Sequence, residues 1–207
     1  MRTNLLALGA CATLIALPSF AANAPPNPFA GFTRFAGTVE RVDGDEFLIK
    51  GQGGTTATYA LAHATRITTS RPGTLADLAA GKFVGCTAVE DHAGKLHATE
   101  CHIFPESMRG TGEGHNPMGP PRTTMTNGNI ATMTNGNVAS AAGSGGDVVL
   151  SVTYKGGSQR IEATQITHVT VIKTLSRSSL KPGTKVTGFA KTAPDGTDVV
   201  QMLNVAP

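Results

Sequence analysis

Past its first thirty residues the chain breaks into short runs of alternating apolar and polar positions, separated by turn-forming Gly, Asp and Pro. A period of two predicts β-strands. The spacing predicts strands over 35–42, 46–50, 57–61, 66–69, 83–90 and 95–104. Asp43-Gly44 and His92-Ala93-Gly94 mark tight turns. Residues 74–80 (TLADLAA) read as a helical turn or short helix closed by Gly81. Alternation puts Val84, Cys86 and Ala88 on one strand face, and Cys101 and Ile103 on one face of the next strand.

The pattern occurs twice. At a constant offset of 102, Leu78 matches Leu180, Gly81 matches Gly183, Val84 matches Val186, Ala88 matches Ala190 and Gly94 matches Gly196. Thr65-Arg66-Ile67-Thr68 matches Thr167-His168-Val169-Thr170, and Pro105 matches Pro207. Near the start, Gly37-Thr38-Val39 is aligned with Gly136-Asn137-Val138, with three extra residues soon after in the second copy. Short strands with a small helical element between them suggest a closed or half-closed barrel of the OB type in each copy. The fold expected is therefore all-β: two tandem small OB-like β-barrel units, each with a short helix, joined by a long loop. The boundaries are 35–105 for the first unit, 106–135 for the connecting segment and 136–207 for the second unit.

The N-terminus reads differently. Met1-Arg2 is basic, residues 5–17 form an uncharged apolar run, and Pro18 ends it. Ser19-Phe20-Ala21 then supplies small residues at a cleavage site, the order of a secretory signal peptide over 1–21. Cleavage after Ala24 would leave Pro25 beside the cut, so Ala21 is favoured, with 22–34 as a linker. A lipid anchor at Cys11 is the competing reading, but the apolar run continues past that cysteine. The run is shorter than the ~20 residues of a membrane-spanning helix, and no later segment is apolar enough to span. A periplasmic location is expected.

Composition narrows the classes of partner. Loss of Arg2 takes the formal net charge from +3 to +2, too weak a field to argue for nucleic acid. Of three cysteines, Cys86 and Cys101 remain after cleavage. In an oxidising compartment the two are expected to join as a disulfide. Their spacing is far from Cys-x-x-Cys, which weighs against a redox or metal pair.

Gly37, Val39, Val42, Leu75, Leu78, Gly81, Gly94 and Ala98 form the pattern Gly-x-Val-x-x-Val, then Leu-x-x-Leu-x-x-Gly, then a closing hairpin. This resembles a family of exported bacterial small β-barrel domains of unknown function, OB-like and often in tandem. The resemblance covers residues 35–105 and, with fewer matches, 136–207. It implies a fold and an envelope location and brings no ligand or activity with it.

The connecting segment is rich in Gly, Pro, Asn and Thr and reads as loop. It carries an internal duplication, Thr124-Met-Thr-Asn-Gly-Asn-Ile130 followed by Thr132-Met-Thr-Asn-Gly-Asn-Val138. Four of the six methionines, Met108, Met118, Met125 and Met133, lie here. One reading is a copper site, since thioether and imidazole ligands suit that metal. Its candidate ligands are His115, Met118, Met108 and Glu113, with His102 on the adjoining strand. The other reading is structural, with methionines packing as adaptable plugs over a barrel end. Gly-Thr-Gly-Glu-Gly over 110–114 lacks the Gly-Lys-Ser/Thr and the helix of a phosphate loop. No Gly-x-Ser-x-Gly elbow or His-Glu-x-x-His occurs, so no catalytic residues or cofactors are assigned. The function expected is a non-catalytic periplasmic binding module for an envelope protein, peptide or glycan. The alternative is a periplasmic copper-binding or metal-delivery protein.

Overall fold

Strands dominate the computed structural model, which describes residues 31–135 and 146–207. The expected export signal and the Gly136-Asn137-Val138 match lie outside these residues. In chain order the strands are β1 (Thr33–Asp43), β2 (Glu46–Lys50), β3 (Thr56–Pro72), β4 (Phe83–Glu90), β5 (Leu96–Ile103), β6 (Gly114–Pro117), β7 (Thr123–Asn135), β8 (Val148–Tyr154), β9 (Gly157–Ala163), β10 (His168–Thr174), β11 (Lys185–Thr192) and β12 (Asp198–Val205). The short helices expected in each copy are three-residue 3-10 turns, Leu75–Asp77 and Arg177–Ser179. A third such turn is Glu106–Met108.

A closed five-stranded barrel forms from β1, β2, β3, β12 and β11. Neighbouring strands pair antiparallel, except for the parallel pair β3–β12. Phe35, Val39, Phe47, Ile49, Leu61, Val186 and Leu203 fill it. A second circuit runs β4–β5–β9–β8–β7 and back to β4. Val84, Cys86, Cys101, Ile130, Leu150, Val152 and Ile161 fill this one. Its closing seam is thin: β5 meets β9 only at Leu96↔Ile161 and His97↔Glu162.

The barrels do not follow the two units expected from sequence. Hairpin β4–β5 lies within the expected first unit, yet it completes the barrel of β7–β9. Hairpin β11–β12 lies within the expected second unit and completes the barrel of β1–β3. The connectors travel with their hairpins, so Leu78 is buried in the second core and Leu180 in the first. β3 and β10 pair antiparallel about Ser70↔Ile172, residues 102 apart like the sequence matches, and Gly31–Pro207 forms one compact unit.

Side-chain volume explains the exchange. Phe35 stands opposite Gly188, where a Cβ would lie 2.6 Å from the Phe35 ring. The ring stacks on Tyr59 with centroids 4.2 Å apart. In the second barrel the same place is held by Thr126 opposite Cys86, and the Cys86–Cys101 disulfide fills the space beside it. Closing the first copy on itself would press Phe35 against that disulfide, and dense cores resist such overpacking.

The connecting segment needs correction. β7 lies within it and is a full barrel strand, paired on one side to β4 and on the other to β8. Its apparent loop composition has a packing cause. Gly128 passes under β8, where a Cβ would lie 2.3 Å from the Thr153 carbonyl oxygen. Gly37 meets the same restriction at the Lys50 carbonyl, at 2.4 Å. Gly37 pairs with Val186 and Gly128 with Val84, and a bulge follows at the same point in both strands. The counterpart of Gly37-Thr38-Val39 is therefore Gly128-Asn129-Ile130, eight residues before the match chosen from sequence.

Candidate functional site

The residues expected to ligate copper are held apart. His115 lies in β6, where its Nδ1 is 2.7 Å from the hydroxyl of buried Thr126. Its ring stacks on Tyr154 with centroids 6.4 Å apart. Glu113 accepts the backbone N–H of Lys155 at 3.1 Å. Met108 is buried in its 3-10 turn, whereas Met118 is exposed. His102 lies in β5, three strand spacings from β6 across β4 and β7. That is about 14 Å along the sheet. Among the described residues no three His, Cys, Asp or Glu side chains gather as a metal site.

The segment after β5 instead straps the outer face of the second barrel. Phe104 packs on Phe83, and the Arg109 guanidinium lies over the Phe83 ring. Arg109 also donates to the Gly81 carbonyl at 2.9 Å, to Glu106 at 2.7 Å and to Asn129. Under the strap, His102, Gly85 and Asn127 form one row across β5, β4 and β7. His102 Nε2 is 3.1 Å from Glu100, and Asn127 Nδ2 donates to the Gly112 carbonyl. His102 Nδ1 and Asn127 Oδ1 are buried without a hydrogen-bond partner among the described residues.

A cleft of about 600 Å³ opens beside the thin seam of the second barrel. Gly94, Lys95 and Leu96 form one wall, and Ser158, Gln159, Arg160 and Glu162 of β9 the other, with Val149 of β8 beside them. The cleft exists because β5 starts only at Leu96, leaving the first half of β9 without a neighbouring strand on that side among the described residues.

Charge is organised along the seam. His97 Nε2 lies 3.0 Å from Asp91, and His97 Nδ1 lies 3.4 Å from Glu162. Lys95 Nζ is 3.9 Å from Glu162. The Asp91 carboxylate also accepts the backbone N–H groups of Ala93 and Lys95. The His97 hydrogen bond, with those backbone donors, pulls the Asp91 carboxyl from 3.8 down to about 2. Glu162 is thus satisfied by Lys95 and His97. Arg160 makes no ion pair among the described residues, so the cleft carries unspent positive charge.

Sequence reasoning missed this cluster. Asp91 and His97 flank one turn and were within reach of a hairpin argument. Glu162 and Arg160 arrive through parallel pairing with a strand 65 positions away (Leu96↔Ile161), which leaves no local pattern. No protein-family model, curated protein or solved structure matches this chain.

Proposed function

We propose that the chain is a non-catalytic binding module of the periplasm, built from OB-like barrels that exchange their closing hairpins. Its ligand lies in the cleft between β9 and the β4–β5 turn. The export-type N-terminus and the Cys86–Cys101 bond support the location, since disulfides persist in oxidising compartments. The resemblance to exported small β-barrel domains points the same way.

The observation that carries the reading is the cleft itself, with Lys95 and Arg160 on opposing walls. Binding fits its chemistry better than catalysis. A general base needs a free lone pair aimed at a substrate proton. Here both nitrogens of His97 are directed at carboxylates, and the nearby acids hold the turn and the seam together.

The test is amide-resolved NMR of the purified exported protein, titrated in turn with acidic peptides, sulfated oligosaccharides, Cu(I) and Cu(II). Shifts confined to residues 94–96 and 158–162 support the proposal. Copper-induced changes centred on His115 and Met118 would select the metal-delivery alternative. Ligand shifts that never touch the cleft would refute it.

A further inference from the structure

β8 and β9 are joined by the two residues Lys155 and Gly156, with Tyr154 facing Gly157. Residues flanking a two-residue hairpin turn exchange both backbone hydrogen bonds, and bonded pairs then alternate along the ladder. Gly157, Gln159 and Ile161 therefore bond to β8. Ser158, Arg160 and Glu162 turn their N–H and C=O groups the other way. β5 takes up that side only at Ile161 and Glu162. Among the described residues, the backbone of Ser158 and Arg160 consequently faces the cleft with no strand beside it.

An open strand edge is a template for another strand. Glycans and single-stranded nucleic acids commonly use aromatic faces to stack against, and none of the cleft's lining residues is aromatic. What the cleft offers is backbone hydrogen bonding flanked by Lys95 and Arg160. The first barrel lacks this combination. At the offset of 102 its counterparts of Ser158, Arg160 and Lys95 are Thr56, Thr58 and the exchanged Thr197. The two copies therefore differ in charge at the point where the edge is open.

We propose that the cleft receives an extended acidic peptide, which adds as a strand to the Ser158–Arg160 edge of β9 and sets its carboxylates against Arg160 and Lys95. This rests on the binding-module reading of the same cleft and names the class of ligand. The open stretch spans four residues, Gly157 to Arg160, or about 13 Å of strand. Backbone bonds would supply affinity, and the cations would choose acidic sequences.

The probe is the blocked heptapeptide Thr-Val-Glu-Val-Glu-Val-Thr, followed by fluorescence anisotropy and by amide shifts. Binding should weaken by about tenfold or more when alternate peptide nitrogens are methylated, one lost hydrogen bond being enough for that factor. Ser158→Pro should weaken it similarly without lowering the melting temperature, because a proline on an open edge disturbs no ladder bond. The double variant Lys95→Glu/Arg160→Glu should prefer the peptide with lysine in place of glutamate. Binding indifferent to N-methylation would reduce the effect to charge alone and overturn the proposal. If a sulfated tetrasaccharide shifts 94–96 and 158–162 and the heptapeptide does not, the peptide assignment falls while the binding module stands. If no probe shifts those residues, both fall.

Discussion

Reducing the Cys86–Cys101 bond should loosen β4, β5 and β7–β9 while sparing β1, β2 and β11. Both cysteines are fully buried in the second barrel, facing each other across β4 and β5. The loop they close spans 15 positions, and opening it frees about 3 kcal/mol of chain entropy in the unfolded state. That corresponds to roughly a hundredfold rise in the opening equilibrium. Native-state hydrogen exchange after reduction reads this directly, because protection tracks local opening. Amides in β4, β5, β7, β8 and β9 should exchange faster by up to that factor, and those in β1, β2 and β11 should change far less. A barrel built from one copy alone predicts a different map, with loss in β1 and β2 and retention in β8 and β9. That map would refute the hairpin exchange.

Three further outcomes follow from the same packing. The isolated fragment 31–105 lacks β11 and β12, and its Phe35 would face Cys86; it should give no dispersed amide spectrum of a monomeric barrel, and a well-dispersed monomer would contradict the volume argument. Gly188→Val puts a side chain where Phe35 and the Met202 carbonyl leave 2.6 Å, and should cost about 1–3 kcal/mol in urea unfolding by overpacking. Asp91 has a folded-state pKa depressed to about 2 from 3.8. A depressed acid stabilises the fold above its unfolded pKa, so this contribution should be intact above pH 3.8 and disappear as pH falls toward 2. Acid unfolding followed by circular dichroism should lose that component in Asp91→Asn, and an unchanged profile would count against the His97–Asp91 link.

Legibility in the sequence tracked how local each interaction was. β2 and β4 have the bounds that alternation predicts, Glu46–Lys50 and Phe83–Glu90. The strands expected over 57–61 and 66–69 merge into β3, Thr56–Pro72, because the intervening residues remain extended. The cysteines share the core face that their spacing assigned. The sequence of β7 resembles loop because the residues it turns inward, Thr124, Thr126 and Gly128, are small or polar. They are small because the disulfide and β8 occupy the space that a larger side chain would need. The duplicated Thr-Met-Thr-Asn-Gly-Asn block puts the expected match for Gly37 at Gly136, whereas pairing with β4 and β8 gives Gly128 that position.

By itself the sequence determined the material: an all-β chain, the bounds of strands such as β2 and β4, turn positions and the cysteine pair. These depend on residues within a few positions of one another, where alternation and turn chemistry act. Tertiary structure decided which hairpin completes which barrel, and that decision depends on whether Phe35 meets Gly188 or Cys86. It also made the cleft, whose walls come from β9 and the β4–β5 turn, far apart in sequence, and meet at a seam of two residue pairs. Such partners lie far apart along the chain, and volume and register select them only once both barrels are closed.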